Sequence, residues 1–253
     1  MPAPTKVPPP EVAPSPTRGA WLRHFLSRRY WQLVRQRVGL IGLCWLLMLI
    51  PAVLAGVWAA ADPDGVVRLL PGEFRNAGRS DGRDLGLAVG EQATLAGRIL
   101  ANNIRVSLAS FGGGLLAGVG TAAMLVYNGA LIGAVAGLTV EAGRTAPFLS
   151  LVAPHGILEL SVIAVSGAAG FTVGRALVKP GPRPRRIAVR LALRRGAEMV
   201  LGTMPWFVVA GVVEGFVTTT SLPLGGAIAF GLLIAAPYWG LVFWRGRPSP
   251  APP

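Results

Sequence analysis

The sequence predicts an all-α, polytopic membrane protein with about six transmembrane helices and both termini in the cytoplasm. Hydrophobic residues make up 52% of the 253-residue chain and charged residues 14%, too few charges to coat a soluble globule of this size. Apolar stretches exceed 18 residues several times, the length at which a helix covers the hydrocarbon of a bilayer. The basic residues then orient the chain, whose net charge is +13. Seven lie in the N-terminal segment, seven between Lys179 and Arg195, and two at the C-terminus. An excess of Lys and Arg marks cytoplasmic loops, so all three segments are placed inside. Because these arginines flank apolar runs, they argue for topology and anionic-lipid contact, not for nucleic acid. The single cysteine, Cys44, sits within an apolar run, which excludes a disulfide framework and a thiolate metal cluster.

Taken in order, residues 1–18 are proline-rich with little to bury and read as a disordered tail, as do residues 246–253. Residues 19–37 carry Trp21, Leu22, Phe25, Leu26, Leu33 and Val34 at helical spacing among arginines, the pattern of an amphipathic helix lying on the inner leaflet. Residues 38–61 form the first span, with Pro51 expected to kink it. Residues 62–100 form the longest polar stretch. From Asp62 to Arg105, six arginines balance six acids, and a neutral loop belongs outside the cell, where it could serve as a docking surface.

Residues 101–245 are read as the helical membrane core. Span two is expected over Ile104–Val126, a tight turn at Tyr127-Asn128-Gly129, and a short span three over Asn128–Val140. The apolar piece Ala146–Ala153 either completes span three or dips in as a re-entrant segment. Span four follows over His155–Val178, a basic loop over Lys179–Arg195, span five over Ala197–Val217, and span six over Gly225–Trp244. No repeat of 20–50 residues and no duplicated half is visible, which weighs against a transporter built from inverted halves.

Small residues recur every fourth position at Gly114, Gly118 and Ala122, at Gly129, Gly133 and Gly137, and at Ser166, Gly170 and Gly174. Each set would share a helix face flat enough for another backbone to approach. The interface so formed lies either between subunits or partners, or among these three helices within one subunit. Because the sets are consecutive, the second reading is favoured.

The polar residues of the core are Asn102, Asn103, Asn128, His155, Glu159 and Glu214. His155 and Glu159 are four apart and share a helix face, where such a pair can bind a metal, relay a proton or lock one imidazole tautomer. A catalytic zinc usually needs three protein ligands, and the second of the two histidines, His24, lies in the N-terminal helix. No metal site and no cofactor are therefore expected, and a structural hydrogen-bond network is the favoured reading. Asn102-Asn103 would cap span two, with one of them reaching another helix. Glu198 follows Arg194 and Arg195 at the membrane interface. Glu214 is costly in an apolar run unless it pairs with an arginine such as Arg105 or titrates during transport. P-loop, nucleophile-elbow and Ser/His/Asp patterns are absent from the sequence.

The combination of ANN at 101–103, YNG at 127–129 followed by IGAVAG, APHGILELSVIAVSGAAGF at 153–171 and AGVVEGF at 210–216 resembles the stage II sporulation protein M family. The resemblance covers roughly residues 98–244 and implies a multi-spanning cytoplasmic-membrane protein without enzymatic activity. The family's namesake, in endospore formers, anchors a complex with two cell-wall-degrading proteins at the septal membrane. Members also occur in bacteria and archaea that form no endospores. The expectation is thus a non-enzymatic anchor or scaffold. Its partners would be membrane lipids, membrane or cell-envelope proteins and a second copy of the chain, but no nucleic acid. The alternatives are a small-solute or proton-coupled transporter using His155, Glu159 and Glu214, and an intramembrane metal-dependent hydrolase.

Overall fold

The computed structural model describes residues 17–72, 89–141, 143–216 and 222–248, and among these the regular structure is helical throughout. The proline-rich tail up to residue 16, the middle of the polar stretch at 73–88 and residues 249–253 lie outside the described residues. The N-terminal segment is α1 (Arg18–His24), a π turn (Phe25–Arg29) and α2 (Tyr30–Arg35). Then follow α3 (Val38–Ala61), α4 (Pro63–Leu69), α5 (Val89–Gly112), a 3₁₀ turn (Gly113–Leu116) and α6 (Val119–Glu141). The chain continues as α7 (Thr145–Val178), α8 (Arg185–Phe216) and α9 (Leu224–Arg245).

Five of these helices, α3 and α6 to α9, are long and apolar enough to cross a membrane, as an all-α polytopic protein requires. α5 matches α3 in length at 24 residues but carries Asn102, Asn103 and Arg105 on its course. Close contacts give the directions. Gly129, Gly133 and Gly137 of α6 lie against Met48, Ala52 and Gly56 of α3, so these two helices run parallel in constant register. Asn103 and Ser107 of α5 meet Glu159 and Ser166 of α7, so that pair is parallel too. α8 and α9 continue the alternation, bringing Glu214 back to His155 and Tyr238 back to Tyr30. The chain therefore enters α3 and leaves α9 at the same end of the bundle.

α7 is the axle. It is buried almost without interruption from Val162 to Gly170, and α3, α5, α6, α8 and α9 all pack on it. Its 34 residues reach about 51 Å, well beyond a ~30 Å hydrocarbon core.

Several expectations are corrected. The turn does not fall at Tyr127-Asn128-Gly129, which lies inside α6. It falls at the run Gly112-Gly113-Gly114, where the chain tightens into the 3₁₀ turn and then takes positive φ at Ala117 (55°) and Gly118 (87°). Thr121 Oγ1 donates to the Ser110 carbonyl across this turn at 2.8 Å. Consequently Ile104–Val126 is not one span, and the third span is a complete helix. Ala146–Ala153 neither completes it nor re-enters, because it forms the first turns of α7. Pro154 sits within that helix without ending it, as neighbouring helices make tolerable in a packed membrane core.

The polar stretch 62–100 is not all loop, since α4 and the first half of α5 occupy its described parts. Most of the basic loop 179–195 is the first part of α8. The N-terminal helix does not simply lie on a leaflet. Tyr30, Trp31, Leu33 and Val34 are buried on α2, which packs on α8 and α9, and Phe25 is buried beside Tyr30.

Candidate functional site

A polar seam runs inside the bundle where α5, α7 and α8 meet. Buried positions on α5 are Asn103, Ser107 and Ser110, spaced by four and three on one face of the helix, and buried Gly114 follows in the 3₁₀ turn. That face lies on α7. Asn103 Nδ2 donates to Glu159 Oε1, and the Ser107 and Ser166 hydroxyls bond to each other. Gly114 and Gly170 then touch backbone to backbone, where a Cβ on Gly114 would overlap the Gly170 carbonyl. Gly174 lies against the backbone of Ala117 and Gly118.

On the other side of α7, His155 Nδ1 faces Glu214 Oε2 of α8, while its Nε2 lies 4.0 Å from Glu159 Oε2 one turn along. His155, Glu159 and Glu214 are 5–8% exposed, so the cluster is shut off from solvent and lipid alike. Trp239 of α9 adds a fourth helix by donating to Ser161 Oγ at 3.1 Å.

The ring thus has a carboxylate beside each nitrogen, in close contact on the Glu214 side and at 4.0 Å on the Glu159 side. Removed from water, each of these ionisable groups is tolerable only while its partners stay in place. The cluster therefore acts as a three-helix clamp. Among the described residues, no group of three or more His, Cys, Asp and Glu side chains is placed to hold a metal ion.

The expected residues do not all join. Asn102 is exposed on α5 and donates to its neighbour Asn103 at 3.4 Å, and neither residue caps a helix, because α5 begins at Val89. Asn128 is buried on α6, and its Nδ2 has no partner among the described residues. Glu214 meets His155 where sequence reasoning had offered Arg105, whose side chain is exposed. Gly129, Gly133 and Gly137 pack on α3, which is not one of the three helices expected to pack together. Gly118 lies on a turn, so Gly114, Gly118 and Ala122 do not form one helical stripe.

Three pairings were not anticipated: Ser107 with Ser166, Tyr30 with Tyr238 at 2.8 Å, and Arg29 with Glu198 at 2.6 Å. Ser107 could have been found, standing four residues after Asn103 on the same face. The other two join helices far apart in sequence and leave no local signal.

The stage II sporulation protein M family matches residues 45–219, more than two thirds of the chain. The chain belongs to this family. The match runs from within α3 to just past α8, so it contains the whole of the His155–Glu159–Glu214–Asn103 cluster. Tyr30 and Tyr238, which tie α2 to α9, lie outside it. An uncharacterized protein of Methanocaldococcus jannaschii is 35% identical over 78 residues, 30% of this chain and 43% of that protein. The chain thus matches less than half the length of that relative. No solved structure matches this member of the stage II sporulation protein M family.

Proposed function

We propose that this stage II sporulation protein M family member is a non-enzymatic scaffold of the cytoplasmic membrane that assembles other membrane or cell-envelope proteins. The observation carrying this reading is that the core's ionisable groups face one another. His155, Glu159 and Glu214 are buried, are engaged within the bundle, and line neither of the two cavities described for the molecule. A permease would need such groups to face a water path, and a hydrolase would need them to face a substrate. Here they fix three helices in register. That leaves the segments outside the bilayer to meet partners: α4 on one side, and the start of α8 with its preceding loop on the other. The positive-inside rule makes the latter side cytoplasmic.

The test is site-specific photo-crosslinking in the native membrane from Asp64 and Arg68 on α4 and from Arg183 before α8. Lipid-facing Leu54 is the reference. The expected result is a discrete set of proteins joined at the first three positions and absent at Leu54. Identical products at all four would overturn the scaffold reading. Proteoliposomes should show no proton or solute flux that is abolished by His155→Gln.

A further inference from the structure

The three basic segments converge at one end of the bundle. Arg29, in the π turn, makes a two-point ion pair with Glu198 of α8 (Nε–Oε2 2.6 Å, Nη2–Oε1 3.1 Å). Arg194 reaches the same carboxylate at 3.5 Å. Arg37 Nε donates to Thr172 at 3.1 Å, and Arg35 reaches the Phe243 carbonyl. Between α1 and α8 lies a cavity of about 340 Å³ lined by Trp21, His24, Arg29, Leu191, Arg194 and Arg195. Glu198 is buried, 6% exposed, and is not part of the lining. Arg29 and Arg194 therefore share a single carboxylate while Arg195 lines the same cavity, so three guanidiniums stand against one acid and leave a net two positive charges at the wall. Burial first, and then the charge of Arg195, holds the Arg37 guanidinium below its ordinary value, which puts Arg37 and Arg195 at the same end of the bundle.

We propose that this cavity is a binding site for a phosphate group, carried by a lipid headgroup or free in solution, with Arg194 and Arg195 as its ligands. Guanidinium forks match phosphate oxygens in geometry as well as charge. Arg29 is the fixed side of the site: Glu198 occupies two of its donors, and its side chain is still 36% exposed. The π turn that carries Arg29 adds a residue to the helical turn, a device found most often where function requires a side chain to be re-aimed.

Two features favour the lipid as the source. Trp21, Leu22 and Leu26 are 39–49% exposed on the same short segment, which places the cavity at the height where an interfacial helix sinks its apolar face. Small-molecule sites run from about 300 Å³ upward, so the volume suits a glycerophosphate headgroup and is generous for bare phosphate.

The test is native mass spectrometry of the full chain in detergent, titrated with dioctanoyl phosphatidylglycerol, dioctanoyl phosphatidylcholine or inorganic phosphate. The first phosphatidylglycerol should bind about tenfold more tightly than phosphatidylcholine, a ratio set by one or two charge-assisted bonds. Arg194→Gln/Arg195→Gln should erase that preference. Arg186→Gln/Arg190→Gln, which removes equal charge from exposed positions of the same helix outside the cavity, should keep it. Displacement of the lipid by micromolar phosphate would uphold the site and assign it to free phosphate. Equal losses in the two double variants would show general charge attraction, and equal binding of both lipids by the unaltered chain would show that the arginines do not select an anionic headgroup; either result would overturn the proposal.

Discussion

His155 offers one ring nitrogen to each of two carboxylates on different helices, so its removal differs in kind from the loss of either acid. His155→Leu leaves Glu159 and Glu214 buried without the imidazole between them and should cost about 3–5 kcal/mol of stability. Glu159→Gln keeps an acceptor for Asn103 and should cost about 1 kcal/mol. Unfolding of the two variants in one detergent checks the contrast, and equal losses would remove the clamp. At this scale much was legible. Spacing alone puts His155 and Glu159 on one face, and an acid inside an apolar run marks Glu214 as needing company. What could not be read was the partner. Arg105 and His155 were both chemically suitable, and the choice depends on which helices face each other, a fact held by the whole bundle.

The α3–α6 pair shows what the glycines do. A methyl group at Gly133 would overlap the Ala52 carbonyl, whereas one at Gly42 of α3 meets nothing within 4 Å. Gly133→Ala should therefore destabilise the protein by about 1–3 kcal/mol through overpacking. Gly42→Ala should be neutral or stabilising by up to about 1 kcal/mol, because alanine is the better helix former. Thermal unfolding of both variants reads the difference. The four-residue spacing of Gly129, Gly133 and Gly137 was visible in the sequence, but their partner is α3, outside the three helices expected to pack on one another. The helix break was misplaced because Tyr127-Asn128-Gly129 has turn chemistry, yet Gly129 is needed for contact with Met48 in mid-helix. The true break uses three successive glycines, a signal masked by the apolar residues on either side. α5 was half missed for the opposite reason. Its early turns are polar, and a search for apolar length passes over a helix whose inner face is built from asparagine and serine.

Across the whole molecule, alternating helix directions return both described ends to one side, with Arg29, Arg37, Arg195 and Arg245 gathered there. In a Cys44→Ala background, Arg186→Cys and Arg247→Cys should be labelled by an impermeant thiol reagent from one face of the membrane. Asp64→Cys and Leu222→Cys should be labelled from the other. Labelling of all four from a single side would break the topology. The charge clusters made this evenness readable from the sequence, whereas the docking of α2 into the bundle was not readable, because its buried aromatics Tyr30 and Trp31 meet Tyr238 of α9, two hundred residues away. The seam between α5, α7 and α8 also imposes an order on synthesis. α3 is apolar throughout and can leave the translocon for lipid as soon as it emerges. Asn103 must wait for Glu159, and His155 cannot make that move comfortably until Glu214 has left the ribosome, so α5 and α7 are held at the insertion site until α8 follows.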